Sequence, residues 1–471
     1  MITYSSTRGG DSRKSFTEVL LAGLAKDGGL FLPDEWPVLS PEKLASMAGK
    51  SYAEIAFDVI APFVDDHFDD ARLKAILDKT YGQAETRFHH KAITPLRQLD
   101  QNLWSLELYH GPTMAFKDVA LQLLGHLFYA ALEDQGERVT ILGATSGDTG
   151  SAAIEGCLAC KNVDIFILFP DGRVSDVQRR QMTTLGAANV YPVAVKGTFD
   201  DCQNLVKAAF NDHDFRAAQN LSAVNSINWA RIIAQTVYYF VASAALGGCQ
   251  RPLSFVVPTG NFGNIFAAYV AMKMGLPIEK LIVATNSNDI LTRFFEKGAM
   301  EKGAVTPTLA PSMDIQISSN FERYLFELMG RDSVALKKAM TDFAEKGHFE
   351  VTKDQLTQAL TLFDAGRADD AATLETIARI YKEADLLMDP HSAIGLNVAY
   401  AQRDKRGPSD VPIVSLACAH PAKFPDAVKK ATGVHPALPA FLSDLMDRDE
   451  VMHKLDNDLV SLQHYIKEKT A

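Results

Sequence analysis

Apolar runs of two different periods divide this chain. Up to about residue 95 the period is helical. Phe16, Val19, Leu20 and Leu24 recur at helical spacing and predict a helix ended by Gly28-Gly29. Ser51-Tyr-Ala-Glu54 has the composition of a capping box ahead of Ile55, Val59 and Ile60. From about Ile93 the pattern changes to short, mainly apolar runs bounded by turn residues. Val139–Leu142, Val163–Phe169 and Asn189–Val195 read as buried strands, with helices over 151–159 and 200–211. A long helix is expected over 228–246, and further strands at Leu253–Val257, Leu281–Ala284 and Val411–Leu416. Strands separated by whole helices imply an α/β fold with parallel pairing and right-handed crossovers. Residues 330–384 are charged, helical and poor in strand signals, with loops at Gly347 and at Asp364–Arg367. They predict a helical insertion, a candidate lid.

Composition narrows the function classes. With 471 residues, 47% hydrophobic and 22% charged, the chain has the balance of a globular protein of two or three domains. Its formal net charge of −11 argues against nucleic acid or an anionic membrane surface as partner. No apolar run reaches membrane-spanning length, and the N-terminus lacks the apolar core of a signal peptide, so a cytoplasmic protein is expected. Five cysteines make no disulfide framework in a chain this long. Cys157-Leu-Ala-Cys160 lacks a second pair and reads as two small hydrophobes on one side of a helix. His89-His90 has no carboxylate or cysteine at ligand spacing, and no metal is expected.

Two glycine loops and one lysine carry the chemistry. Gly260-Asn-Phe-Gly-Asn264 follows a strand and opens a helix. Glycines permit close backbone approach, and a helix N-terminus with its free N–H groups suits a phosphate dianion. Asn264 is placed to serve as the N-cap. A bare strand-to-helix turn with no ligand explains this loop equally well when it is considered alone. Gly143-Ala-Thr-Ser-Gly-Asp-Thr-Gly150 is a second such loop, with donors suited to a carboxylate or phosphate, and it is neither a Walker nor a dinucleotide motif. Lys117 ends the run His110-Gly-Pro-Thr-Met-Ala-Phe-Lys and precedes a helix with Val119, Leu123, Leu124 and Leu127 on one face. An amine at the base of that helix is partly desolvated, which favours the neutral, nucleophilic form.

These runs, taken with others in order along the chain, resemble threonine synthase, a member of the fold-type-II group of pyridoxal-phosphate enzymes. The resemblance includes Thr7–Gly10, Asp27–Pro33, Ile93–Leu96, His110–Asp118, Thr145–Gly150, Gln181–Thr184, Phe199–Gln203 and Asn225–Asn228. It continues through Pro258–Asn264, Ser318–Arg323, Asp389–Gly395 and Ala419–Phe424. It implies two open, mainly parallel α/β sheets with a mostly helical N-terminal domain. The implied division is 1–95 for that domain, 96–125 with 225–435 for a large cofactor-binding domain, 126–224 for a small α/β domain, and 436–471 for a C-terminal helical extension.

The resemblance also implies pyridoxal 5'-phosphate as cofactor, held covalently by Lys117, with its phosphate on Gly260, Asn261, Phe262, Gly263 and Asn264. Ser146, Gly147, Asp148 and Thr149 would face the substrate, Asp148 also lying near the cofactor's phenolic oxygen. Asn225, Ser226 and Arg231 would hold the substrate phosphate, a task that suits the planar guanidinium fork. The implied reaction turns the small-molecule substrate O-phospho-L-homoserine and water into L-threonine and phosphate, with no obligate protein partner. Cys418 stands where the family commonly has threonine facing the pyridine nitrogen, and a thiol is a weaker hydrogen-bonding group. Ser392 likewise replaces a threonine. His110, His391 and His420 are read as structural histidines bonded to backbone. The residues leave open a related dehydratase or phospholyase, and a catalytically silent phosphate-binding protein.

Overall fold

The short apolar runs pair as two separate parallel sheets in the computed structural model, which describes residues 2–136, 138–158, 160–223 and 226–470. The larger has six strands in the order Phe363–Arg367, Ile278–Thr285, Leu253–Pro258, Ile413–Ala417, Leu103–Glu107 and Leu96–Asp100. Every neighbouring pair is parallel except the last, which is antiparallel. The smaller is all parallel, in the order His453–Leu455, Val190–Val195, Val163–Pro170, Val139–Ala144 and Leu221–Ser222. Leu253–Pro258 and Val163–Pro170 are buried along their whole length. That is why they read as mainly apolar runs, each with a single polar residue, Asp164 or Ser254: helices cover both faces of a parallel sheet.

Helix Trp229–Gly247 lies in the middle of the main core, with Trp229, Tyr238, Tyr239 and Phe240 fully buried. It packs against helices Tyr52–Ile60, Lys117–Gln135 and Gly263–Lys273. The two halves meet where helix Lys117–Gln135 crosses helix Asp148–Cys157. A Cβ at Gly125 would lie 1.9 Å from the carbonyl oxygen of Gly156, and one at Gly156 would lie 2.3 Å from that of Leu121. Only glycines allow the two backbones to approach this closely.

Local signals placed most elements, and the capping box of Ser51 and Glu54 forms as expected. Four expectations need correction. The first helix, Phe16–Ala22, ends at Gly23, which takes positive φ, before Gly28-Gly29 is reached. Residues 330–384 are not free of strands. His348–Glu350 pairs with Ala299–Glu301, and Phe363–Arg367, expected as a loop, is an edge strand of the large sheet. Its Asp-Ala-Gly sequence carries no strand propensity. The strand forms because Leu281–Thr285 offers a free edge, and Gly366 is there because a Cβ would lie 2.8 Å from Val398 Cγ1. The C-terminal extension is not wholly helical either, since His453–Leu455 joins the small sheet before helix Leu459–Thr470. Finally, the helix carrying Cys157 stops there, and Cys160 lies beyond it with its thiol on the Gly125 carbonyl.

Among the described residues, no helix is long and apolar enough to cross a membrane.

Candidate active site

Asp118 builds the turn that presents Lys117. It is fully buried and accepts from Thr113 N at 2.9 Å and from Thr113 Oγ1. Burial pushes its carboxyl up to about 6, against the pull of the Thr113 hydroxyl and the Lys423 charge. Gly111 sits against this side chain, where a Cβ would lie 2.5 Å from Asp118 Cβ. The turn is also tied to the segment after strand Ile413–Ala417. Phe116 N donates to Cys418 O at 2.8 Å, and His420 N donates to Met114 O at 3.0 Å. Lys117 then opens its helix, 8% exposed, with Nζ 3.4 Å from Asp148 Oδ2 and 4.9 Å from the Phe116 ring centre.

Asp148 begins the helix after the other glycine loop. Gly147 adopts φ +141°, a conformation that favours glycine, and Thr145 Oγ1 accepts from the N–H groups of Gly147 and Gly150. Both Asp148 oxygens are engaged. Oδ2 faces Lys117 and Ser312 Oγ, the latter at 3.5 Å; Oδ1 accepts from Gln178 Nε2 at 2.8 Å and lies 3.1 Å from Lys423 Nζ. Burial alone would raise this carboxyl, but Lys423 first and Lys117 next hold it far below the usual range. Lys423 was not singled out from the sequence. The signal was a lysine among the apolar residues of Ala419–Phe424, beside His420; its ion partner lies far away along the chain.

The 260–264 loop fits a phosphate. Phe262 adopts φ +61° at the head of helix Gly263–Lys273, and no side chain caps that helix. Among the described residues, none of the backbone N–H groups from Gly260 to Asn264 has a protein acceptor. The carbonyls are tied down instead: Gly260 O accepts from Ser318 Oγ at 2.8 Å, and Asn261 O accepts from Asn320 N at 3.0 Å. A row of free donors at a helix N-terminus is what a dianion needs. Asn264 is not the N-cap. It is buried in the first turn, where Oδ1 accepts from the hydroxyls of Tyr238 and Tyr239 and Nδ2 has no partner. Its side chain packs inward because the helix that carries the two tyrosines lies directly behind the loop.

Arg231 lies in the first turn of helix Trp229–Gly247, 4% exposed, and among the described residues its Nε and Nη1 have no partner. Burial pushes it down to about 10. Its neighbour Ile232 lies 3.6 Å from the position of a Cβ on Gly263. Ser226 is half-buried, and Asn320 Nδ2 donates to both Ser226 O and Asn261 O. Asn225 lies outside the described residues. Ser146 and Thr149 are half-buried beside buried Gly147. Ser312 joins the two glycine loops: its hydroxyl faces Asp148, and its carbonyl lies 3.1 Å from where a Cβ on Gly260 would be. Lys117, Asp148, the 260–264 loop and Ser226 thus converge on one region, and Arg231 lies on the helix that packs against helix Gly263–Lys273 behind the loop.

Cys418 is buried; its N–H donates to Ser392 Oγ at 2.8 Å, its thiol faces Leu416 O, and burial pushes that thiol up. Ser392 in turn bonds Asp389, which caps helix Pro390–Arg406. The expectation of backbone-bonded histidines holds for His420, whose Nδ1 accepts from Ala422 N and which burial pushes down to about 4. The other two pair with carboxylates. His110 bonds Glu107 at 2.8 Å, and His391 Nδ1 bonds Asp389 at 2.9 Å while its Nε2 has no partner. Those acids, Glu107 and Asp389, had not been weighed. Among the described residues, no group of three or more His, Cys, Asp or Glu could hold a metal ion.

Three family models together match most of the chain: threonine synthase N terminus over residues 3–81, pyridoxal-phosphate dependent enzyme over 87–352, and threonine synthase C-terminal over 392–466. The chain is 53% identical over 466 residues to threonine synthase of Pseudomonas aeruginosa, covering 99% of this chain and 98% of the relative. This chain belongs to the threonine synthase family. The crystal structure of pyridoxal-phosphate-bound threonine synthase from Brucella melitensis superposes with a TM-score of 0.96 at 51% identity, covering 100% of this chain and 99% of that one. Yeast threonine synthase superposes with a TM-score of 0.94 at 39% identity, covering 100% and 98%. The cofactor of a family member is pyridoxal 5'-phosphate, and the free donors of the 260–264 loop and the buried amine of Lys117 fit it.

Proposed function

We propose that this enzyme of the threonine synthase family converts O-phospho-L-homoserine and water to L-threonine and phosphate, with Lys117 as cofactor anchor and proton carrier. The observation that carries this reading is a pair of separate, unsatisfied anion-binding groups. Among the described residues, one is the row of free N–H groups over Gly260–Asn264, and the other is the Arg231 guanidinium, whose Nε and Nη1 have no partner. The first would hold the phosphate of the cofactor. The second calls for a substrate that brings its own phosphate, which threonine and serine do not.

When bound, pyridoxal 5'-phosphate supplies an aldehyde for amino groups and a conjugated ring that withdraws electrons from a bound amino acid. The chain supplies the remainder. The N–H groups and dipole of helix Gly263–Lys273 hold the cofactor phosphate. Lys117 would anchor the cofactor, and its Nζ, once free, would stay within reach of successive substrate carbons and carry their protons. Asp148 orients that amine. The hydroxyls and N–H groups of Ser146, Gly147 and Thr149 face the substrate carboxylate. Arg231, with Asn225 and Ser226, binds the substrate phosphate and stabilises its charge as it departs. Burial of Lys117 and Asp148 limits competing reactions with water.

Purified protein with O-phospho-L-homoserine tests the reading. Phosphate and threonine in equal amounts support it. Phosphate with a keto acid and ammonia refutes it in favour of a phospholyase.

A further inference from the structure

Two lysines share one buried carboxylate, and their surroundings differ. Lys423 is fully buried and its ammonium is saturated: it donates to Thr113 O at 2.7 Å and to Gln181 Oε1 at 2.9 Å, and lies 3.1 Å from Asp148 Oδ1. Two hydrogen bonds and one ion pair reach three separate segments, which hold this amine in place. Lys117, in contrast, has only the longer 3.4 Å contact to Asp148 Oδ2 as a hydrogen bond among the described residues, with the Phe116 ring beside it.

We propose that Lys423 is a positioning residue: it is the permanent counter-charge of Asp148 and sets the pH at which the Lys117 amine becomes reactive. Lys117 must give up its charge to attack an aldehyde. Were it the only cation beside Asp148, each such event would strand a buried carboxylate without a partner, a strongly unfavourable state. Lys423 prevents this because it stays bound to the other oxygen. It also adds a positive charge near Lys117, which disfavours a second one there. The remaining groups around the cluster are His391 near Asp148, Cys418 near Lys117, and Asp118 and His420 near Lys423, with Gln178 and Ser312 as neutral partners.

The inference rests on the reading that Lys117 captures the cofactor, and one experiment separates the two. Full-length protein stripped of cofactor is mixed with pyridoxal 5'-phosphate, and the rise of visible imine absorbance is followed from about pH 6 to about pH 10. Wild type must develop the band and Lys117→Ala must not; any other result defeats the underlying reading. Given that band, Lys423→Met should move the pH–rate profile up by about one pH unit, slowing capture near pH 7 about tenfold and leaving it unchanged at the alkaline plateau. Lys423→Arg, which keeps the charge, should stay within about threefold of wild type. A merely structural lysine would instead lower capture equally at all pH values, or leave the profile in place. Either outcome in a folded Lys423→Met protein overturns the proposal. Should that variant not fold, Asp148→Asn decides: loss of the shared anion should move the profile to lower pH, and an unmoved profile overturns the proposal.

Discussion

Replacing Arg231 by methionine should make the protein more stable and less active at once. Arg231 is buried, its Nε and Nη1 lack partners, and burial has pushed it down to about 10. The drop from the ordinary arginine range corresponds to about 3 kcal/mol against the charged form in the folded state. The sign follows directly. A basic group depressed on folding penalises the folded state at every pH below its folded value, so the whole penalty is present near neutrality. Methionine fills most of the arginine stem's volume and removes the charge, and part of the gain is lost to imperfect packing. The net expectation is a gain of about 1–2 kcal/mol for the protein without substrate or phosphate, which for a protein this large raises the melting temperature by about 1–2 °C. Inorganic phosphate should raise the melting temperature of wild type, because an anion at Arg231 removes the penalty, and should do less for the variant. In turnover with O-phospho-L-homoserine, loss of one partner of a buried charge pair should cost about 2–4 kcal/mol, or about 30-fold to 1000-fold in kcat/KM. The reasoning is refuted if Arg231→Met melts below wild type and phosphate still stabilises both proteins equally.

Lys117→Ala should remove the visible absorbance of the enzyme with pyridoxal 5'-phosphate and abolish threonine formation, while the circular dichroism spectrum stays that of wild type. Burial pushes the Glu155 carboxyl up to about 7, with Arg87 only partly offsetting it. An acid raised on folding penalises the folded state above its folded value and not below its unfolded one. Glu155→Gln should therefore be the more stable protein at pH 8 by about 1–3 kcal/mol, a gap that closes as the pH falls through about 7 towards about 4; thermal melts across that range check it. Gly156→Ala puts a methyl group 2.3 Å from the Leu121 carbonyl oxygen, so the crossing of helices Lys117–Gln135 and Asp148–Cys157 must open. We expect a loss of about 2–3 kcal/mol in urea unfolding, and reduced activity because that crossing spaces Lys117 from Asp148.

The lid idea for residues 330–384 gains a constraint from the fold. Phe363–Arg367 is bonded into the large sheet, so only helix Ser333–Lys346 and its neighbours remain candidates for movement.

Local residue pattern decided much of this protein. Buried parallel strands are largely apolar on both faces, so Val163–Pro170 and Leu253–Pro258 stand out as runs with one polar residue each. Capping chemistry acts within four residues, so Ser51 with Glu54 could be read in isolation. The run ending in Lys117 and the loop Gly260–Asn264 were legible for the same reason: each is a short segment whose residue types suit its chemistry. Tertiary structure alone decided the rest. Asp364-Ala-Gly became a strand because a neighbouring edge was free. Asn264 turned inward because Tyr238 and Tyr239 of another helix stood behind it. Lys423 found Asp148, and Arg231 Nε and Nη1 found no partner among the described residues. The physical reason is that a buried charge is governed by what reaches it through space in a low dielectric, and no spacing along the chain records that distance.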